Sequence, residues 1–294
     1  MLQHAIEKAA VLIEAMPYIQ AFRGETVVVK FGGSIINDES SYADILRDVA
    51  FMEIIGMRPV IVHGGGKAIT RKMEEAGIAA NFVKGLRVTD AETIAIVEKT
   101  LNEEVNPQVR KVLESFQAPA TGFKGQDVFR VSPHTETDPE TGTVLDWGFV
   151  GNVDSADVTG IVAALDAGRV PVVTPLGRDQ AGNIYNINAD EAAGAMAREL
   201  KARKLVFLSD VPGLMRDPSD PETIISTLTL AEMERLIGDG TIAGGMLPKV
   251  SGAVKALKAG VRKTHIIDAE MPHSLLLELF TEQGVGTEIV GDFS

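Results

Sequence analysis

The chain has 294 residues, no cysteine and a formal net charge of −13. That length is enough for one large domain or two modest domains with a proper core. The lack of cysteine excludes disulfides and thiolate metal sites, and the acidic balance argues against a nucleic-acid surface, which needs clustered Lys and Arg. A nucleotide ligand stays possible, because a few placed cations and backbone N–H groups can hold phosphates.

The first residues show no basic leader followed by an apolar segment and a small-residue cleavage site. No apolar run approaches the roughly 20 residues that a membrane-spanning helix needs. We therefore expect a soluble cytoplasmic protein with no membrane or nucleic-acid partner.

The first predicted element is a helix over residues 2–16. Its apolar residues recur at spacings of three and four and form one stripe, and Pro17 should end or kink it. The helix precedes the first strand, so we expect it outside the main sheet. The stripe either packs on its own domain or docks a partner.

From Thr26 onward, strand patterns alternate with helix patterns, which predicts a parallel sheet covered on both faces. The predicted strands are 26–31, 59–62, 170–174, 184–187, 204–208 and one near 263–267. The predicted helices are 40–55, one opening near Lys67, about 90–116, 154–168, 189–201, and helices near 229–238, 247–259 and 273–281.

Residues 121–150 depart from this alternation. Short strand-like pieces are separated there by GQD and DPETG, which are turn signals. They predict hairpins that project from the sheet near one end of a cleft. A division between two lobes is expected near Ile187.

Glycine-rich segments follow the first two strands and precede a later helix. Gly32 and Gly33 follow the first strand, HGGGK (63–67) follows the second, and GGMLPK (244–249) opens a helix. Ligands of α/β sheets gather beyond the carboxyl ends of the strands, and glycine lets backbone N–H groups approach an anion. Three such segments at one rim, two of them with a nearby lysine, indicate an anion site.

The common nucleotide-binding loops do not fit these segments. The sequence has no G-x-x-x-x-G-K-[ST] and no G-x-G-x-x-G, and Ala68 follows Lys67 where a P-loop would have Ser or Thr. A P-loop NTPase and a Rossmann dehydrogenase therefore lose support.

Three polar residues are further candidates. Arg87, in GLRVTD, either grips a carboxylate with two parallel hydrogen bonds or lies solvated. In NINADEAA, either Asn188 or Asp190 caps the helix that follows, or Asp190 reaches into the cleft to orient lysines. His63 could be a general base, but a structural hydrogen bond is the better interpretation because no Ser or Cys nucleophile is near it in sequence. No Cys/His cluster or H-E-x-x-H segment indicates a protein-bound transition metal.

Together these segments resemble the amino acid kinase family. VVVKFGGSI, VIVHGGGKAI, GLRVTD, NINADEAA, LSDVPGL and GGMLPKV occur in that family's order. The resemblance implies an α/β three-layer αβα sandwich with a mainly parallel central sheet, plus the N-terminal helix. It also implies ATP-dependent phosphorylation of the γ-carboxylate of N-acetyl-L-glutamate in arginine biosynthesis, with Mg²⁺ held mainly by the nucleotide phosphates.

Residue roles carry over only where positions match the family's motifs. The resemblance implies that Lys30 and Lys249 flank the transferred phosphoryl group and that Asp190 holds both lysines in place. The implied acceptor-binding residues are Gly65, Gly66, Arg87 and Asn186. The implied nucleotide-binding residues are Gly32, Gly33, Asp210, Val211, Gly213, Leu214, Thr241 and Ala243.

The N-terminal helix resembles one that links dimers into a hexameric ring in the arginine-inhibited members of this family. The resemblance therefore implies a trimer of dimers with L-arginine as feedback effector. The implied effector residues are Tyr18, Lys204, His265, Glu278 and Gly284. The expected division is an oligomerisation helix over 1–23, a lobe for the acceptor and dimerisation over 24–187, and a lobe for ATP and the effector over 188–294.

Two other functions stay open. A sibling kinase could act on an aminoadipate derivative, aspartate or glutamate, although 294 residues leave no space for the appended regulatory domains usual in aspartate kinases. A non-catalytic ligand sensor could use the same fold, but the retention of both lysines and Asp190 argues against it.

Overall fold

The computed structural model describes residues 2–32, 39–137, 142–217, 220, 223–242, 246–281 and 284–291. The strands are β1 (Thr26–Phe31), β2 (Arg58–His63), β3 (Phe82–Val83), β4 (Leu86–Arg87), β5 (Ala120–Phe123), β6 (Phe129–Thr137), β7 (Val144–Ala156), β8 (Val170–Val173), β9 (Leu176–Arg178), β10 (Ile184–Ile187), β11 (Lys204–Ser209), β12 (Thr227–Thr229), β13 (Lys263–Asp268) and β14 (Thr287–Val290). The helices are α1 (Leu2–Phe22), α2 (Glu39–Ile54), α3 (Gly66–Glu75), α4 (Ala91–Lys99), a π-helical segment (Thr100–Val105), α5 (Asn106–Ser115), α6 (Gly125–Val128), α7 (Thr159–Asp166), α8 (Ala189–Glu199), α9 (Leu230–Gly238), α10 (Met246–Lys258) and α11 (Ser274–Phe280).

An eight-stranded sheet forms the centre, in the order β12-β14-β13-β11-β1-β2-β8-β5. Its strands pair in parallel except for β13 and β14, which are antiparallel. Helices pack on both faces. The predicted α/β class with a mainly parallel central sheet is therefore confirmed.

The residues of β1 show how the sheet divides the core. Val28 belongs to a buried cluster that contains Ala192, Ala193, Ala195 and Ala197 of α8. Val27, Val29 and Phe31 belong to a second cluster on the other face, with residues of α2. Because successive side chains of a strand point to opposite faces, Lys30 lies on the same face as Val28, towards α8.

A second, smaller sheet contains β9, β6, β7 and β10, and it closes on itself. Its longest pairing is the antiparallel hairpin of β6 and β7. The predicted hairpins between residues 121 and 150 are present here, although β5 instead joins the edge of the main sheet.

The predicted helix boundary at Pro17 is wrong. Helix α1 continues through Pro17 and ends at Phe22. The rings of Tyr18 and Phe22 pack edge-on against Phe280, with ring centroids 6.5 and 6.1 Å apart. This packing of the last turn outweighs the hydrogen bond that proline cannot make.

The predicted helix over 154–168 also begins too early. Helix α7 begins at Thr159, because β7 extends to Ala156 and Ser155 pairs with Arg130 of β6. The hydrogen-bonded pairing of β6 with β7 therefore keeps residues 154–156 in a strand, although their local sequence pattern favours a helix.

The long helix predicted over about 90–116 contains an irregularity. The π-helical segment separates α4 from α5, just before Pro107, which has no N–H to donate. Leu101 of this segment reaches Gly65, where an added Cβ would lie 2.6 Å from Leu101 Cδ2. No helix within the described ranges has the length and hydrophobicity to cross a membrane.

Gly125 provides a test of the packing. An added Cβ would overlap the carbonyl oxygens of Thr174 and Leu176, and backbone atoms cannot move aside as a flexible side chain can. We expect Gly125→Ala to lower the free energy of unfolding by about 3 kcal/mol, measured by urea denaturation. Gly238→Ala is the matched control in α9, because an added Cβ there meets no described atom within 4 Å. Equal stability of the two variants would contradict this packing.

Candidate active site

Lys30 and Asp190 form an ion pair at the carboxyl end of β1. The Lys30 Nζ atom lies 2.7 Å from Asp190 Oδ1, and the two side chains are only 15% and 16% exposed. Lys30 faces α8, and Asp190 lies in the first turn of that helix. Pairing is needed here, since an unpaired charge of such burial costs several kcal/mol to desolvate.

The start of α8 leaves the Asp190 carboxylate free for this role. Asn188 is the N-cap, and its side-chain oxygen accepts a hydrogen bond of 2.8 Å from the Asp190 N–H. The capping function that the sequence left open therefore belongs to Asn188. The positive end of the helix dipole also favours a carboxylate in the first turn.

Helix α10 approaches Asp190 closely at Gly252. An added Cβ on Gly252 would lie 2.8 Å from Asp190 Cβ. Lys249 precedes Gly252 by one helical turn in α10, and residues spaced by three lie on one side of a helix. The Lys249 side chain lies outside the described part of the structure, so its role beside the phosphoryl group stays a prediction.

A cavity of about 190 Å³ opens beside the ion pair, beyond the carboxyl ends of β1 and β11. It brings together Lys30, Gly32, Asp190 and Asp210, all of them predicted site residues. Ser209, Phe207, Leu208 and Ile266 complete the described lining.

The loop after β11 carries two further predicted nucleotide residues. Gly213 has φ +156°, and an added Cβ would lie 2.8 Å from Thr287 Oγ1. The Leu214 N–H donates to the same hydroxyl oxygen at 2.8 Å, and the Leu214 side chain is buried in the core. Thr287 of β14 therefore fixes this loop, and Leu214 can offer a ligand only its backbone.

The remaining predicted nucleotide residues are spread more widely. Val211 is half-buried in the loop after β11. Thr241 follows α9, where its N–H and hydroxyl donate to Asp239 Oδ1 at 3.0 and 2.7 Å. Gly33 and Ala243 lie outside the described residues.

A second cavity, of about 200 Å³, contains all four residues predicted to bind the acceptor. These are Gly65, Gly66, Arg87 and Asn186. No described atom lies within 4 Å of a Cβ added at Gly66, so there is free space where a side chain at this position would begin. Asn188 and Ala189 line this cavity, and the next residue, Asp190, lines the first one. The start of α8 therefore separates the two cavities.

Arg87 is buried in the wall of the second cavity. Its Nη2 donates to the Gly66 carbonyl at 3.1 Å and to Thr70 Oγ1 at 2.8 Å, and the guanidinium stacks 4.6 Å from the Phe82 ring centroid. Burial lowers the pKa of Arg87, but an arginine stays protonated in proteins. The solvated alternative from the sequence is therefore wrong: Arg87 is a fixed cation beside the cavity.

His63 makes structural hydrogen bonds. It is completely buried, with Nδ1 3.1 Å from the Gly64 carbonyl oxygen and Nε2 3.3 Å from Asn106 Nδ2. Asn106 also donates to the Val172 carbonyl at 2.8 Å. Burial lowers the pKa of His63 to about 4, so the ring is neutral near pH 7. Nδ1–H then donates to Gly64, and Nε2 accepts from Asn106.

Three of the predicted effector residues meet at the other end of the sheet. His265 Nδ1 lies 2.6 Å from Glu278 Oε1, and both side chains are buried. Burial opposes ionisation of Glu278, yet hydrogen bonds from His265 and from the N–H groups of Val285 and Gly286 hold its pKa below the ordinary value. An added Cβ on Gly284 would lie 2.6 Å from Glu278 Oε2, so this turn wraps the carboxylate closely.

Lys204 and Tyr18 connect this cluster to α1. The Lys204 Nζ atom lies 5.4 Å from the centroid of the Phe22 ring, and burial lowers the pKa of Lys204. Tyr18 contacts Phe280 of α11, the helix that carries Glu278. The C-terminal end of α1 therefore lies beside the predicted effector residues.

Sequence reasoning missed the hairpin of β3 and β4 and its supports. Phe82 and Leu86 line the second cavity, which contains the predicted acceptor-binding residues and is called the acceptor-side cavity below. The indole N–H of Trp147, in β7, donates to the Val83 carbonyl at 3.1 Å. Trp147 is the single tryptophan of the chain, and that was the one available signal. Among the described residues, no three His, Asp or Glu side chains converge as metal ligands.

Comparison with known proteins gives consistent results. The model of the amino acid kinase family matches residues 25–268. The acetylglutamate kinase of Akkermansia muciniphila is 47% identical over 286 residues, which are 97% of this chain and 96% of that protein. The acetylglutamate kinase of Archaeoglobus fulgidus is 43% identical over 97% of this chain and 99% of its own length.

Solved structures agree on the fold. The N-acetylglutamate synthase of Neisseria gonorrhoeae, in complex with coenzyme A and L-arginine, superposes with a TM-score of 0.80 at 28% identity. The match covers 97% of this chain but only 65% of the synthase. An isopentenyl phosphate kinase superposes with a TM-score of 0.62 at 19% identity, over 90% of this chain and all of that one, and shows the fold alone.

The burial of His63 predicts a specific pH dependence of stability. Its pKa is about 4 in the folded chain and about 6.5 when unfolded, so its contribution is complete above pH 6.5 and is lost as pH falls towards 4. Between pH 7 and pH 5, we expect wild type to lose about 2 kcal/mol more unfolding free energy than His63→Gln. Urea denaturation of both proteins at the two pH values measures this difference. Equal losses in both proteins would show that folding does not lower the pKa of His63.

Proposed function

Because the chain belongs to the amino acid kinase family, we propose that it transfers the γ-phosphoryl group of ATP to the side-chain carboxylate of N-acetyl-L-glutamate. The products are N-acetyl-L-glutamyl 5-phosphate and ADP. The observation that carries this proposal is the Lys30–Asp190 pair, with Nζ and Oδ1 2.7 Å apart, at the boundary between two cavities. Relatives named acetylglutamate kinase, 43–47% identical over 97% of the chain, support the acceptor.

The acceptor needs no general base. Its carboxylate has a reference pKa near 4.3 and is ionised at pH 7. His63, the histidine nearest to the glycine segment, is buried and neutral. Catalysis must then come from alignment of the two reactants and from cations that offset the charge of the transferred group.

Lys30 provides such a cation on the nucleotide side. Asp190 holds its ammonium at the junction of the two cavities, where it can approach the transferred phosphoryl group. Arg87 provides a fixed cation on the acceptor side, suited to the α-carboxylate. The described carboxylates of the first cavity are Asp190, already paired with Lys30, and Asp210. Mg²⁺ would therefore be held mainly by the nucleotide phosphates and water, and would offset their charge.

We also propose feedback inhibition by L-arginine. The support is the cluster of His265, Glu278 and Gly284 beside Lys204 and the end of α1, together with the crystal structure of a similar synthase with L-arginine. An ionised, buried carboxylate such as Glu278 suits a guanidinium.

We further propose that α1 joins dimers into a hexamer. This helix precedes the region matched by the family model. Its exposed apolar residues are Leu2, Ile6, Val11, Leu12, Ile13 and Met16, with 46–76% of each exposed. All of them except Val11 lie on one side of a helix with about 3.6 residues per turn, and an exposed apolar surface of this kind is typical of a protein–protein contact.

Removal of the Lys30 charge tests the catalytic proposal. We expect Lys30→Met to lower kcat by at least about 100-fold, with a much smaller change in the KM of N-acetyl-L-glutamate. Hydroxamate trapping with ATP and Mg²⁺ measures the acyl phosphate, and glutamate and aspartate serve as comparison acceptors. Lys258→Met is the control, since Lys258 pairs with Glu234 on the exposed surface. A near-normal kcat for Lys30→Met would exclude the mechanism, and a stronger signal with glutamate or aspartate would change the acceptor.

Charges placed on α1 test the assembly. We expect the double substitution Leu12→Asp, Ile13→Asp to reduce the hexamer to dimers and to weaken inhibition by arginine, because two carboxylates would replace exposed apolar side chains. Light scattering coupled to gel filtration measures the mass, with Gln20→Ala as a control on the same helix. An unchanged mass would show that α1 does not join the dimers.

A further inference from the structure

The hairpin of β3 and β4 covers one side of the acceptor-side cavity. Phe82, Gly85, Leu86 and Arg87 all line that cavity. The hairpin has only two residue pairs and, among the described strands, pairs with no other sheet. Such a short hairpin is marginally stable by itself. Its position over the cavity must therefore depend on contacts with the rest of the chain.

Trp147 of β7 makes hydrogen bonds on both sides of the hairpin. Its indole N–H donates to the Val83 carbonyl at 3.1 Å. Its own carbonyl accepts the N–H of Thr89 at 2.9 Å, and the Thr89 carbonyl accepts the N–H of Phe149 at 2.7 Å. Arg87 lies between Val83 and Thr89 in the chain. Trp147 thus holds the backbone before and after the arginine.

The close contact at Gly148 shows how tightly this region fits. Gly148 has φ +71°, and an added Cβ would overlap the Thr89 carbonyl oxygen. Trp147 is 1% exposed as a residue, and its indole ring packs against His134, with centroids 4.8 Å apart. The tryptophan is therefore a rigid support for the hairpin.

A second contact also fastens the turn of the hairpin. Lys84 Nζ lies 2.5 Å from Glu136 Oε2 of β6, but the two side chains are 52% and 42% exposed. Exposed ion pairs are screened by water and contribute little. Of the two contacts, the sheltered indole hydrogen bond is the stronger constraint.

We propose that Trp147 is a positioning residue for the acceptor. It touches neither reactant, and it acts by holding the hairpin so that Phe82 and Arg87 keep their places in the cavity wall. This inference rests on the proposed function, in which that cavity binds N-acetyl-L-glutamate. Loss of the indole hydrogen bond should weaken acceptor binding, while the Lys30–Asp190 pair and the nucleotide side stay intact.

Trp147→Phe tests the inference, because it keeps a buried aromatic ring but loses the N–H donor, together with the volume of the second ring. We expect the KM of N-acetyl-L-glutamate to rise about five- to tenfold, in line with the loss of one sheltered hydrogen bond. The kcat and the KM of ATP should stay within about twofold of wild type. Lys84→Met is the matched control, and we expect a KM increase of less than about threefold.

The single tryptophan also allows a test without substitution. In wild type without any ligand, iodide should quench Trp147 only weakly, because the residue is 1% exposed and its indole already donates to the Val83 carbonyl. An unchanged acceptor KM in Trp147→Phe, or equal KM changes for acceptor and ATP, would overturn the inference. So would strong iodide quenching of Trp147 in the ligand-free wild type. Wild type that forms no acyl phosphate with N-acetyl-L-glutamate would instead overturn the proposed function, and this inference with it.

Discussion

The pair between the Lys30 ammonium and the Asp190 carboxylate requires separate segments of the chain to meet at one point. The lysine is the last residue but one of a buried strand, and the aspartate lies in the first turn of a helix that Asn188 caps. Gly252 lets a second helix approach the same carboxylate. Neither charge could remain so deeply buried alone, since desolvation of an unpaired ion costs several kcal/mol. The pair is therefore both a product of the fold and a constraint on it.

The position of this pair explains how an acidic chain can bind two anionic reactants. The net charge of −13 is a property of the whole chain, whereas the cavities contain a few fixed cations. Lys30 serves one cavity and Arg87 serves the other, and the start of α8 lies between them. The charges inside each cavity decide what it can bind. The electric field of a nearby, partly buried cation is screened less by water and salt than the field of distant charges on the protein surface.

Two supporting regions extend this arrangement. Trp147 and Thr89 hold the chain around Arg87 on the acceptor side. At the other end of the sheet, Glu278 links β13 to the turn before β14, and Phe280 of the same helix contacts α1. Strand β11 passes between these regions: Lys204 begins it beside Phe22, and Ser209 ends it beside the first cavity.

Local sequence pattern was enough to predict the features that depend on neighbouring residues. The run VVVKF marks a strand buried on both faces, because a central parallel strand needs apolar side chains on each side. The start of α8 and the glycine segments at the strand ends also follow from local pattern. Family resemblance then supplied the roles of Lys30, Asp190 and Arg87. Four other features required the three-dimensional structure: Asn188 and not Asp190 is the cap, α1 continues past Pro17, α7 starts at Thr159, and the Trp147 indole contacts the hairpin. These features depend on contacts such as Tyr18 with Phe280 or Trp147 with Val83, between residues far apart in the chain. Local periodicity encodes burial, but it does not encode which distant residue fills the space beside a side chain.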